Sequence, residues 1–433
     1  MLGKAYDYIT GDEDARVCKD IPDESCNDQP RNFFAYLVSN VFTKIADELC
    51  SARIVFPWLI GALGAPAVFA GFLVPIREAG VLLPQLFVAA YIRSIAIRKW
   101  VWVVGGVLSA MAMLLITLSV NAVEGVVAGW VIIGLLTIYS LARGICSVSA
   151  KDVIGKTISK SRRGALMGTS ASVAGFATMI IGLVVEVFFN QREDSSLFLM
   201  LLAGSVLFYL LSVLFFALIK EAPGATDGGG NAISDAIKSM GIIKSDKPFR
   251  RFLFARTLLL SIALAPPFYV LLAQQNGVEL SGLGILIIAS GLASMVSAPI
   301  WGKLSDRSSR QVMALSALLT GVLGVAVSGM ALTDIYSFDH KWDIAVMFFL
   351  IATFHGGARL GRKTYLVDMA NADNRSTYVA VSNTFIGLFM LAAGGVGWLG
   401  DIYGVPIVIG VLAVVALAGS FYILRIEEVS EGE

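Results

Sequence analysis

Residues 100–121 read WVWVVGGVLSAMAMLLITLSVN, a run without a single charge. At about 1.5 Å of rise per residue, such a segment crosses the roughly 30 Å of hydrocarbon in a bilayer as one helix. A strand of a membrane barrel would need only about 10 residues, of alternating polarity. Working outward, comparable runs recur along almost the whole chain after Phe33. They predict spans near 38–62, 66–92, 100–121, 125–149, 164–189 and 197–219, then near 252–275, 281–301, 312–333, 343–365, 375–399 and 404–424. The reading is an all-α polytopic membrane protein of twelve transmembrane helices.

Composition agrees. The 433 residues are 57% hydrophobic and 15% charged, with mean hydropathy +0.77, whereas soluble domains carry about a quarter charged residues. A formal net charge of +1 gives no electrostatic case for nucleic acid. The first 32 residues are polar and acid-rich, without the basic start, apolar core and small-residue cleavage site of a signal peptide. Cys18, Cys26, Cys50 and Cys146 lack the paired spacing of a zinc site and read as plain thiols.

The expected organisation is a polar tail (1–32), a first six-helix bundle (33–219), a central loop (220–251), a second six-helix bundle (252–425) and a short tail (426–433). Lys and Arg flanking a span are retained on the cytoplasmic side. One set of loops holds Arg93, Arg98 and Lys99, a group from Lys151 to Arg163, Lys220 to Arg251, Lys303 to Arg310, and Arg362, Lys363 and Arg375; the opposite set holds little beyond Arg192 and Lys341. Both termini and the central loop are therefore expected in the cytoplasm, in a bacterial inner (plasma) membrane.

The halves repeat. A single offset of 212 residues pairs Lys44 with Arg256, Arg98 with Arg310, Lys151 with Lys363, Arg163 with Arg375, Ser170 with Ser382 and Gly175 with Gly387. Basic residues at helix ends can coincide by topology alone, but agreement at Ser and Gly favours duplication. A site at the seam of two such bundles can face either side as one rocks against the other.

After the eighth span the chain reads Gly302-Lys303-Leu304-Ser305-Asp306-Arg307-Ser308-Ser309-Arg310. This resembles the G-x-x-x-D-R-x-x-R loop of the major facilitator superfamily, and with the six-plus-six topology the resemblance extends over about 38–425. It implies two pseudo-symmetric bundles, secondary transport by alternating access, and a gating role for Gly302, Asp306, Arg307 and Arg310. The equivalent first-half stretch, Ala90 to Lys99, keeps basic residues but lacks the acidic one. Arg143, in LARGICSVSAKD, weakly resembles the family's arginine-bearing fourth helix and is a second gating candidate; snorkelling to the interface is the alternative. The fifth span lacks the Gly-Pro signature of drug/proton antiporters.

Ionisable side chains near the bilayer centre cost at least about 2.5–3.5 kcal/mol, so each should face a cavity or a partner. The first span carries Lys44, Asp47, Glu48 and Arg53, and the second carries Arg77-Glu78 near its middle. Lys44 and Glu48 share a helical face and can pair. Arg77 and Glu78 diverge by about 100°, so at least one must reach the first helix or the cavity. Two arrangements satisfy the chemistry: Arg53, Arg77 and Glu78 bind substrate while Asp47, Glu48 or Glu78 exchanges protons, or the same charges form a closed network stapling the two helices. In the second half His355 lies mid-span with Arg359 one turn later, adding two substrate-binding candidates, and Pro266-Pro267 should break the seventh helix. Glycines such as Gly291, Gly394, Gly395 and Gly397 should serve close helix packing.

The expected function is secondary active transport of a small polar or anionic solute, coupled to protons or another ion, by a monomer without cofactor. An exporter of amphiphiles and a transport-inactive receptor or scaffold are the alternatives. No nucleophile with a base, metal cluster or phosphate-cradling loop stands out, so an enzyme or an ATP-driven pump is disfavoured.

Overall fold

The computed structural model describes residues 21, 23–85, 88, 91–92, 94–189, 196–224, 240–278, 282–370 and 375–429. The Gly228-Gly229-Gly230 linker, Arg93, Arg192 and Cys18 lie outside them. Twelve crossings follow in order. In the first bundle they are α1 (Gln29–Leu49, resumed as Val55–Ala62), α2 (Ala67–Leu82), α3 (Lys99–Ser119), α4 (Gly125–Thr157), α5 (Lys160–Phe189) and α6 (Ser196–Ala217). In the second they are α7 (Lys247–Leu258, Leu260–Leu264 and Pro266–Gln275), α8 (Gly282–Arg307), α9 (Ser309–Leu332), α10 (Lys341–Met369), α11 (Arg375–Ala393, a 3-10 turn at Gly394–Val396, then Gly397–Tyr403) and α12 (Val405–Ile423).

Among the described residues ten of these helices are long and apolar enough to cross a membrane; α1 is interrupted between Leu49 and Val55, and the described α2 runs 16 residues. Several helices outrun the apolar runs on the basic-loop side: α4 continues to Thr157, α8 to Arg307 and α10 to Met369, and α1 begins at Gln29, inside the stretch expected as tail. Hydropathy marks only the lipid-facing part of a helix, while backbone hydrogen bonding continues into water.

The 212-residue offset is a structural repeat. Shifted by it, α3 falls on 311–331, within α9 (Ser309–Leu332), and α4 falls on 337–369, over α10 (Lys341–Met369). Packing repeats too: α3 against α4 and α6 matches α9 against α10 and α12, and α2 against α4 matches α8 against α10. The bundles meet along α5 with α8 and along α2 with α11, the two contacts that the offset exchanges. Backbones approach closely there. A Cβ on Gly71 of α2 would lie 2.5 Å from the Gly394 carbonyl oxygen, and one on Gly397 would lie 2.8 Å from that of Ala67. Gly291 and Gly395 make no such approach.

Cys50 and Cys146 are free and buried, but Cys26 is disulfide-bonded. The reading of four plain thiols fails at Cys26, because four irregularly spaced cysteines carry no signal of a pairing.

Candidate functional site

The α1 helix stops at Leu49 and resumes at Val55, and the Cys50–Ile54 break lies at mid-depth. Its loose backbone is tied locally, with Ser51 N–H donating to the Glu48 carbonyl (3.2 Å) and Phe56 N–H to the Ser51 carbonyl (3.0 Å). Irregular backbone at membrane depth is tolerated where it lines a cavity, and Ser51, Arg53 and Ile54 all line one.

That cavity, about 510 Å³, lies at the bundle seam between α1, α7, α8 and α10. Its walls include Glu48 and Arg53 from α1 and its break, Pro266 from α7, Ser290, Ser294, Ser297 and Trp301 from α8, and Phe348, His355, Arg359 and Lys363 from α10. Along α8 it runs from Ser290 to Gly302 and along α10 from Phe348 to Lys363, from mid-depth to the basic-loop end of each helix. It therefore opens toward the face of the basic loops. The opposite face is tied shut across the seam. Lys341 of α10 pairs with Glu186 of α5 at 2.6 Å, and the Gln274 side chain donates to the Trp58 carbonyl at 3.3 Å. Asp401 of α11 accepts from the Ala67 and Val68 amides at 2.6 and 3.0 Å, a carboxylate from one bundle capping the N-terminus of α2 in the other.

The charges of the first bundle divide into two groups. Asp47 accepts from Arg77 at 3.2 Å, from Tyr139 at 2.8 Å and from Tyr209 at 2.7 Å, with the Arg143 guanidinium 3.6 Å away. Arg77 stacks over the Tyr139 ring (5.1 Å) and Arg143 over that of Tyr209 (5.5 Å). This cluster joins α1, α2, α4 and α6 and lies outside the cavity lining. Asp47 and Arg77, expected to exchange protons and bind substrate, and Arg143, expected to gate, here contact one another instead of lining the cavity, with Nε and Nη1 of Arg143 unbonded. Arg143 in particular sits inside the bundle, not at the interface.

The second group faces the seam. Arg53 lines the cavity and pairs with Glu78 of α2 at 3.2 Å, Glu78 standing behind the wall. Glu48 does not pair with Lys44; its carboxylate accepts from Ser290 of α8 at 3.0 Å, across the seam. His355 is buried and lines the cavity, and neither it nor Arg359 bonds to another described residue. Arg256, the repeat counterpart of Lys44, is buried against Ser382 and Asn383. The first half has the same contact between its first and fifth helices, Asn40 donating to Ser170 at 2.7 Å.

In the Gly302–Arg310 loop, Gly302 lines the cavity mouth, while Asp306 and Arg307 are exposed. Ser308 caps the N-terminus of α9, accepting from Gln311 N–H at 3.1 Å. Arg310 pairs with Glu428 at 3.2 Å and donates to the Ile426 carbonyl at 2.9 Å. In the first half the acid missing from the loop arrives from elsewhere: Arg98 meets Asp152 of α4 at 2.6 Å, and Glu221 accepts from the Arg98 and Lys99 amides at 3.1 and 2.7 Å. Sequence reading missed Tyr139 and Tyr209, single hydroxyls in apolar runs, and the serines of α8. Ser290, Ser294 and Ser297 fall at i, i+4 and i+7, one helical face, and that spacing was the available signal.

Residues 257–433 match the family model described as Major Facilitator Superfamily. No curated protein sequence matches the chain significantly. Among solved structures, a peptide transporter of the POT type in complex with sulfate is similar at TM-score 0.71 and 13% identity, over 96% of this chain and 98% of that one. The nucleoside transporter NupG is similar at 0.69 and 12%, over 90% and 99%. A D-xylose-proton symporter is similar at 0.65 and 12%, over 93% and 99%.

Proposed function

From a chain with the major facilitator fold, whose second half carries the superfamily's sequence signature, we propose that it is a proton-coupled secondary transporter of a small polar or anionic solute. One observation carries the reading: the seam holds a polar cavity of about 510 Å³ lined by Arg53, Arg359, Lys363, His355 and Glu48, open toward one face, with inter-bundle bonds on the other. Its size suits a small solute, and its charges disfavour an amphiphile. A scaffold would fill such a space with its own ion pairs.

Arg53 and Arg359 act as the anion-binding groups, for a guanidinium presents paired donors to a carboxylate or phosphate. Glu48 is the proton carrier. It has no cationic partner among the described bonds and is held only by Ser290, so its charge depends on what the cavity contains. Because that hydrogen bond spans the seam, protonation alters an inter-bundle contact as well as a charge, which links proton to motion. The solute enters and leaves as the Glu186–Lys341 and Asp401–α2 contacts break and re-form. The protein acts as a monomer, with its basic loops and both termini in the cytoplasm. Reporter fusions at the C-terminus test that orientation.

The functional test is flux in proteoliposomes under an imposed pH gradient. Accumulation should follow the gradient, and Glu48→Gln should abolish gradient-driven accumulation while leaving solute exchange intact. Flux indifferent to the gradient would remove the coupling.

A further inference from the structure

The two walls of the cavity differ in how their cations are compensated. On α1, Arg53 is paired with Glu78. On α10, Arg359, Arg362 and Lys363 have no carboxylate partner among the described residues, and two of them line the cavity. Arg362 and Lys363 follow Arg359 by three and four residues, so each neighbours it on the helix surface. Like charges so placed repel one another by a few tenths of a kcal/mol per pair. Behind them Arg256 is buried against neutral partners, with its Nε unbonded. Against this the lining offers one carboxylate, Glu48. The cavity thus carries a net positive field, offset only in part by Glu48 and by the Glu78 that Arg53 shares, and focused by low-dielectric walls. With Arg53 answered by Glu78, the three α10 cations against Glu48 leave two positive charges, which a solute with one negative charge answers only by half. Between the cationic mouth and Arg53 at depth runs the α8 face of Ser290, Ser294 and Ser297, hydroxyls able to bond a polar body.

We infer that the solute is a polyvalent anion, bearing at least two negative charges on a hydroxyl-bearing body, with Arg359 and Lys363 holding charge at the mouth and Arg53 at depth. This rests on the carrier reading and narrows its substrate class to phosphate monoesters and di- or tricarboxylates, which share the required chemistry.

The test is thermal stabilisation of the purified full-length protein at constant ionic strength. Probes are glycerol 3-phosphate and citrate (polyvalent), lactate and gluconate (monovalent), ribose (neutral) and choline (cationic). At least one polyvalent probe should bind ten-fold or more tightly than either monovalent one. Arg359→Gln and Lys363→Gln should each erase most of that ratio while keeping the unliganded melting temperature, whereas Lys247→Gln, on an exposed helix end outside the cavity, should retain it. Preference for phosphate over citrate, or the reverse, identifies the source of the charge. Equal binding of monovalent and polyvalent probes, or stabilisation by no polyvalent probe, overturns the inference while leaving a polar-solute carrier standing. Binding of choline alone overturns both.

Discussion

The bundles share one plan but hold their mid-membrane charges differently. In the first, Asp47 gathers two arginines and two tyrosine hydroxyls into a closed knot across four helices. In the second, Arg256 has only amide and hydroxyl partners, and Arg359, Arg362 and Lys363 have no carboxylate partner among the described residues. A buried charge that has found its counter-charge acts as a fastener; one that has not awaits something from outside. The halves thus differ in charge compensation, the first holding its charges in mutual contacts and the second leaving Arg359 and Lys363 on the cavity wall, with Arg53 and Glu48 the first half's charges at the seam.

Removing the centre of the knot should have the largest effect. Asp47→Ala leaves Arg77 and Arg143 without their shared carboxylate and should destabilise the protein by about 1–3 kcal/mol, the cost of leaving a partly buried donor unsatisfied; unfolding of the detergent-solubilised protein measures it. Arg77→Ala should likewise act on stability first. A melting temperature unchanged in both variants would dissolve the contrast between the halves. Next, Gly71→Leu at the α2–α11 contact meets backbone on the facing helix, and overpacking of this kind costs about 1–3 kcal/mol. It should push the equilibrium toward opening on the closed face, read as increased labelling of a cysteine placed there. Arg359→Ala sharpens the comparison from the other side: solute affinity should fall at least ten-fold, while stability moves within about 0.5 kcal/mol, as for an exposed position. Smallest is Lys341→Ala, which removes a partly exposed ion pair worth up to about 1 kcal/mol and should modestly raise the same labelling.

The fold was legible because lipid enforces it: length and apolarity alone locate ten helices, and the offset relating Ser170 to Ser382 survives as equivalent helix contacts. Helix ends were less legible, since polar turns such as the end of α10 at Met369 stay helical beyond the lipid. At the site, the cost of burying charge singled out Arg53, Glu78, Asp47 and Arg77 as groups that need a partner or a cavity, but not which of them meet. Arg77 and Glu78 both turn toward α1, and only packing decides that Arg77 meets Asp47 while Glu78 meets Arg53. Arg362 and Lys363 read as orientation signals because they close the predicted tenth span; the cavity reaches down α10 as far as Lys363.

The carboxylate of Asp401 finishes a helix that belongs to the other half of the chain. Any separation of the halves at this face strips two backbone amides of their acceptor and hands them to incoming water. It also means that α2 is complete only in the company of α11. Halves severed at the central loop would be unfinished parts, each needing the other's side chains for its own secondary structure.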